Sequence, residues 1–231
     1  MRDFIVQWLT QITAPFWQSS LSIDQFVTAL QETFQMVFFS LLFGCIWGLI
    51  QGITLVVTRT GGILQNRAIY YVLNPLVNAL RSLPFIILLI AVIPLTKILV
   101  GTSIGTWAAI VPLTIYVGPY LGRLIETSLL EVNAGIIESA QAMGASPWQI
   151  IVKFVIPEAR SSLILNLTTG TITLIGATAM AGAVGAGGIG DLAISYGYQR
   201  FDTSVVILTV IVLLLLVQLV QMLGDWLAKL R

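Results

Sequence analysis

From Ser204 to Leu223 the chain reads SVVILTVIVLLLLVQLVQML, 20 residues without a charge. A helix crosses the ~30 Å of bilayer hydrocarbon in about 20 residues, and in lipid only a helix or a closed barrel satisfies every backbone polar group. Four further apolar stretches, at about 34–57, 72–95, 104–125 and 161–184, have the same reach. The expected fold class is an all-α integral membrane protein with five transmembrane helices per subunit. Composition agrees: 57% of the 231 residues are hydrophobic and 9% charged, far from the balance of a soluble domain.

The spans differ in character. The first opens behind Ser22-Ile23-Asp24-Gln25, a capping-box-like start. It carries Gly44, Gly48 and Gly52 at four-residue spacing, which leaves one face bare for close approach of another helix. The second contains Arg81, an intramembrane charge that either snorkels to the nearer interface or faces the bundle interior. The third holds Pro112 and Pro119, which remove helix hydrogen bonds and permit kinks. The fourth, rich in small and hydroxyl residues such as Thr168, Thr169, Gly170 and Thr173, suits close packing or an aqueous path. The fifth suits lipid. Ahead of them, Phe4, Ile5, Trp8, Leu9, Ile12 and Phe16 mark an amphipathic segment, broken by Pro15, that fits the membrane interface and not a signal peptide. The expected organisation is an N-terminal amphipathic, extracytoplasmic segment over 1–33 and a single transmembrane domain over 34–227.

Charge sets the orientation. Arg59, Arg67, Arg123, Lys153, Arg160, Lys229 and Arg231 fall at one side of the spans, and Arg2, Lys97 and Arg200 at the other. The positive-inside rule then puts the C-terminus and the loop between spans three and four in the cytoplasm, and the N-terminus outside. A formal net charge of +1 gives no signal for nucleic acid. The single cysteine, Cys45, makes no internal disulfide, and the absence of histidine excludes His-dependent membrane enzymes.

The most informative polar stretch is that cytoplasmic loop, ESAQAMGASPWQIIVKFVIP, from Glu138 to Pro157. Val132, Ile136, Ala140 and Met143 recur at helical spacing. Gly144 then ends a helix in the left-handed conformation that glycine enters cheaply, and Ser146-Pro147 restarts one with a side-chain cap and a proline at the first position. Trp148, Ile150, Ile151, Val152, Phe154 and Val155 follow. That apolar surface needs a cover, either the lipid interface or a soluble partner.

A second stretch, Gly182 to Asp191, reads GAVGAGGIGD. It satisfies GxGxxG but follows a membrane helix and not a strand, so a dinucleotide site is excluded by context. Its GxGD matches intramembrane aspartyl proteases, yet no second aspartate sits mid-span to share a proton. Asn166-Leu167-Thr168 is a glycosylation pattern inside hydrocarbon and is discounted likewise. What remains is a flexible, tightly turning segment at the outer end of the small-residue helix, a candidate gate.

The loop resembles the EAA motif of ABC-importer permeases, with Glu138, Ser139, Ala140, Gly144, Phe154, Ile156 and Pro157 at the matching positions. Three of these depart from the consensus within their size class: Ser139, Phe154 and Ile156. More narrowly, the stretches from Arg81 to Leu89, Val100 to Gly105, Ala108 to Thr114 and Gly182 to Gly190 look like the methionine-importer permeases, and the likeness covers about Leu30 to Leu227. The resemblance implies the fold of a type I ABC importer permease, working as a homodimer with two ABC ATPase subunits and an extracytoplasmic substrate-binding lipoprotein in a bacterial inner membrane. It implies a coupling loop over 131–157, with Glu138, Ser139, Ala140, Gly144, Ala145, Ser146, Pro147, Trp148, Ile156 and Pro157 meeting the ATPase. It further implies that Met180, with Thr173, Gly182 and Gly185, belongs to the gate and pathway. No cofactor, metal or catalytic residue is expected in this chain. It lacks the nucleotide-cradling Gly-x-x-x-x-Gly-Lys-Ser/Thr, so ATP and magnesium would bind the partner subunit. Substrate would move inward by alternating access. A permease for another amino acid or small polar solute, and a stand-alone channel or carrier with Arg81 as its one interior charge, are the alternatives.

Overall fold

The computed structural model describes residues 21–230, which form helices and connecting turns without a strand. The amphipathic segment ahead of residue 21 lies outside the described residues. Four helices are long and apolar enough to span a membrane: α1 (Ile23–Thr58), α5 (Thr106–Leu130), α9 (Arg160–Gly182) and α11 (Thr203–Lys229). A bent pair, α2 (Arg67–Ser82) and α3 (Phe85–Ala91), supplies the fifth candidate crossing.

The start of α1 is set as its sequence dictates. Ser22 N–H donates to Gln25 Oε1 at 3.1 Å, and Gln25 N–H returns to Ser22 Oγ at 3.3 Å, closing the capping box. The helix then runs 36 residues with no break at 33, about 54 Å at 1.5 Å per residue. At its far end Leu64 and Asn66 N–H groups bond back to the Val57 and Thr58 carbonyls. Asn66 in turn caps α2 by accepting from Ile69 N–H at 3.2 Å.

The second span expected over 72–95 is not one straight helix. Leu83 precedes Pro84 and is extended (φ −76°, ψ 128°), because the proline ring disfavours helical backbone in the residue before it. The chain bends by 107° between α2 and α3 and continues through α4 (Ile93–Val100), whose end is capped by left-handed Gly101. In contrast, Pro112 and Pro119 lie within α5 without ending it.

The chain divides into two compact units. One comprises residues through Phe39 with Phe85–Leu113 and Leu174–Leu219. Its core gathers Leu21, Ala29, Ile189, Leu192 and Val205, with Phe26 and Tyr196 against them. The other comprises Ser40–Pro84, Thr114–Thr173 and Val220–Arg231. There the glycine face of α1 meets α5: a Cβ on Gly48 would stand 2.9 Å from Leu121 Cβ and 3.0 Å from Gly122 N, and one on Gly52 would stand 2.7 Å from Gly122 O. The bare stripe is a packing seam, and the backbones approach to where only hydrogen fits.

Candidate functional site

The loop between α5 and α9 is a helix-turn-helix of defined local chemistry. Asn133 accepts from Gly135 N–H at 2.8 Å and starts α6 (Ala134–Ala142), two residues after the start suggested by Val132. At the other end Gly144 has φ +76°, its N–H bonds Gln141 O at 2.9 Å, and Ala145 N–H bonds Ala140 O at 3.1 Å. This is the paired closure of a helix by a left-handed glycine. Ser146 then caps α7 (Pro147–Ile150): Ser146 N–H donates to Gln149 Oε1 at 2.9 Å, and Ser146 Oγ accepts from Gln149 N–H. Pro147 sits at the first turn, where a missing N–H costs nothing.

Beyond α7 the backbone widens into a π turn over Ile151–Val155, closed by Ile156 N–H to Ile151 O, before the short α8 (Ile156–Glu158). Pro157 explains the widening, because it has no N–H for the Lys153 carbonyl and its ring crowds that oxygen.

The loop sorts its apolar side chains into two sets. Ala140, Ile150, Ile151 and Val155 are buried by the chain itself, whereas Met143 and Trp148 are each 70% exposed. The expectation that the whole apolar run needs an outside cover is thus corrected: helical spacing sends half of it inward, and Met143 leaves the face shared by Val132, Ile136 and Ala140. Glu138 and Ser139 are exposed, as is Pro157, and Ile156 is half-buried. Glu138 and Gln141 line a cavity of about 380 Å³ together with Arg59 and the apolar Ile53, Ile137 and Ile151.

The residues singled out for the gate fall in two places. Thr173 and Met180 lie on one stripe of α9 with Leu165, Thr169 and Gly176; Met180 is 55% exposed, Leu165 41%, and Gly176 has open space where a Cβ would stand. The Thr169 and Thr173 hydroxyls bond carbonyls four residues back, which satisfies them within the helix. Gly182 ends α9, and Gly185 lies in the turn that leads into α10 (Gly188–Leu192). Gly182 is buried with its Cβ position 2.6 Å from Gly190 C. Gly185 accepts from Gly105 N–H at 2.9 Å, and Ala186 O accepts from Thr106 Oγ1 at 3.2 Å. On the other flank Glu32 accepts from Gly188 N–H at 2.7 Å and Thr33 Oγ1 from Ile189 N–H at 2.9 Å. The run turns as tightly as its glycines suggest, but it is pinned and not slack.

Arg81 occupies the last turn of α2, exposed, with its guanidinium 5.8 Å from the Tyr120 ring centroid. It is not the only charge in the spans. Glu126, 3% exposed, pairs with Arg123 one turn earlier on α5, and Arg123 also donates to Asn74 Oδ1 at 2.9 Å and Asn78 Oδ1 at 2.7 Å on α2. The signal was present as Asn at i, i+4 in one helix and Arg/Glu at i, i+3 in the other. Counting Arg123 only as an orienting charge hid it.

Residues 44–230 match the model of the family described as "binding-protein-dependent transport system inner membrane component". Among relatives, a protein named probable D-methionine transport system permease protein MetI from Vibrio cholerae is 45% identical over 210 residues, 91% of this chain and 93% of that protein. The D-methionine transport system permease protein MetI of Escherichia coli K12 is 47% identical over 156 residues, 68% of this chain and 72% of that one. Among solved structures, a chain of the MetNI methionine ABC transporter in an inward-facing conformation superposes with a TM-score of 0.89 at 44% identity, covering 92% of this chain and 98% of its own. An amino acid ABC transporter crystallised with histidines shares the fold at 16% identity and a TM-score of 0.73. The chain therefore belongs to the family of binding-protein-dependent transport system inner membrane components, and it is a permease subunit of an ABC importer.

Proposed function

We propose that this permease moves methionine into the cell as a homodimer driven by two separate ABC ATPase subunits and loaded by an extracytoplasmic binding protein. Methionine is the substrate carried in the names of its relatives, and those relatives match nearly its full length. The observation that carries the coupling reading is the loop from Ala134 to Glu158. It is capped by Asn133, Gly144 and Ser146, rooted by Ala140, Ile150, Ile151 and Val155, and holds Met143 and Trp148 outward. Two large apolar side chains on a rigid polar-edged knuckle are what a groove on a soluble partner would grip. Glu138, Ser139, Gly144, Ala145, Ser146, Pro147, Ile156 and Pro157 shape that knuckle; Trp148 anchors it.

ATP and its magnesium belong to the partner. Nucleotide-driven closure of the ATPase pair draws the two loops together, and the pathway between the permease copies alternates between inward and outward openings. The exposed stripe from Leu165 to Met180 faces the second copy in this account, with Met180 closing the path and the small Thr169, Thr173 and Gly176 leaving room beside it for a thioether side chain. The loop and the C-terminus lie in the cytoplasm. The test is Gly144→Trp in the assembled, reconstituted complex. Assembly retained with methionine uptake lost supports the reading; uptake at the wild-type rate overturns it.

A further inference from the structure

The two long helices that flank the loop, α5 and α9, are joined by a line of polar contacts. Asn166 Nδ2 donates to Ser128 Oγ at 2.7 Å and to the Leu124 carbonyl at 3.3 Å. Ser162 Oγ donates to Glu131 Oε2 at 2.6 Å, and its lone pair faces Ser128 Oγ at 3.1 Å. One turn deeper, Gly170 leaves room for the Leu121 side chain, which fills the space a Cβ would need. Leu121, Leu124, Ser128 and Glu131 thus face Ser162, Asn166 and Gly170, both sets at helical spacing.

In a bilayer, apolar side chains pack against a neighbouring helix or against lipid with similar ease, so they hold register weakly. Interhelical hydrogen bonds hold it directionally. We propose that this seam locks α5 and α9 into one lever, so that displacement of the loop between them moves both helices as a body and is not lost as sliding. Ser128, Ser162 and Asn166 are positioning residues, acting through the two helices that they join. The inference rests on the coupling reading above. It places the transmitting joint at the base of the loop, outside the motif that resembles the family's.

The experiment uses the permease–ATPase complex reconstituted in vesicles, with a Cys45→Ala background for the cross-linking arm. The wild-type arm tests the coupling reading by itself: if it shows no ATP-driven uptake, that reading fails, and the lever falls with it. Given wild-type uptake, Asn166→Leu should keep assembly and ATP hydrolysis while lowering methionine moved per ATP hydrolysed at least fivefold. Ser128→Ala should act in the same direction, and Ser128→Thr, which keeps the hydroxyl, should restore the ratio. Ser128→Cys with Ser162→Cys, bridged by oxidation or a short bifunctional thiol reagent, should move at least as much methionine per ATP as the same pair unbridged, because a covalent tie replaces the lost hydroxyl contacts between parts that do not move apart. An unchanged ratio in Asn166→Leu and Ser128→Ala overturns the proposal, and so does loss of uptake on bridging. If Asn166→Leu does not assemble, the bridged pair decides alone.

Discussion

Gly144 sits at φ +76° with nothing within 4 Å of where a Cβ would be. Substitution there meets conformational strain and no collision. Gly144→Ala should cost about 1–2 kcal/mol locally and partly unwind the end of α6, read as lowered uptake in a complex that still assembles. Trp148 is the converse case. At 70% exposure it contributes little to the fold of the chain, yet an aromatic anchor in a partner's groove typically carries ~2 kcal/mol or more. Trp148→Ala should leave thermal unfolding of the isolated permease unchanged and weaken ATPase binding by about 30-fold. Equal loss in both measurements would make Trp148 a core residue. At Gly48, where neighbouring backbone and Leu121 Cβ stand near 3 Å from a new Cβ, Gly48→Leu should lower stability by about 1–3 kcal/mol, seen as a lower melting temperature in detergent.

Among elements, α2 and α5 are tied by a charge cluster in which Glu126 is buried and Arg123 about a quarter exposed. Glu126→Ala strands the guanidinium on Asn74 and Asn78 and should cost at least ~2 kcal/mol, whereas Arg123→Met with Glu126→Leu, which removes both charges, should cost less. Comparing the single and double variants by thermal unfolding checks this. The same cluster shows where sequence reading stops. Helix ends were legible wherever a local signal wrote them: Ser22 with Gln25, Gly144, and Ser146 with Pro147 all do what their residue types demand. The packing face of α1 was legible from three glycines at one spacing. The break at Leu83-Pro84 was legible in principle, but an apolar run on both sides masked it, since hydropathy does not see a bend. Partners across helices were not legible. Asn166 reads as a stray glycosylation pattern and Ser128 as nothing at all, because a hydrogen bond between residues 38 apart is written only in the fold. The tethering of the glycine run by Glu32 and Thr33, 156 residues away, was invisible for the same reason.

At the scale of the whole molecule, the chain carries spans, a rooted knuckle and a pinned glycine turn, and its sequence holds no Gly-x-x-x-x-Gly-Lys-Ser/Thr phosphate cradle. In the function proposed above, its energy comes from another polypeptide and its pathway is completed by a second copy. The exposed stripe on α9 and the outward Met143 and Trp148 are the surfaces that reading assigns to those partners. The most direct test is methionine uptake into vesicles holding the permease, the ATPase subunits and the binding protein, with ATP or its non-hydrolysable analogue on the side of the loop. The account predicts uptake with ATP and none with the analogue, and none when the ATPase is omitted. Uptake by the permease alone, at a rate indifferent to ATP, would contradict it.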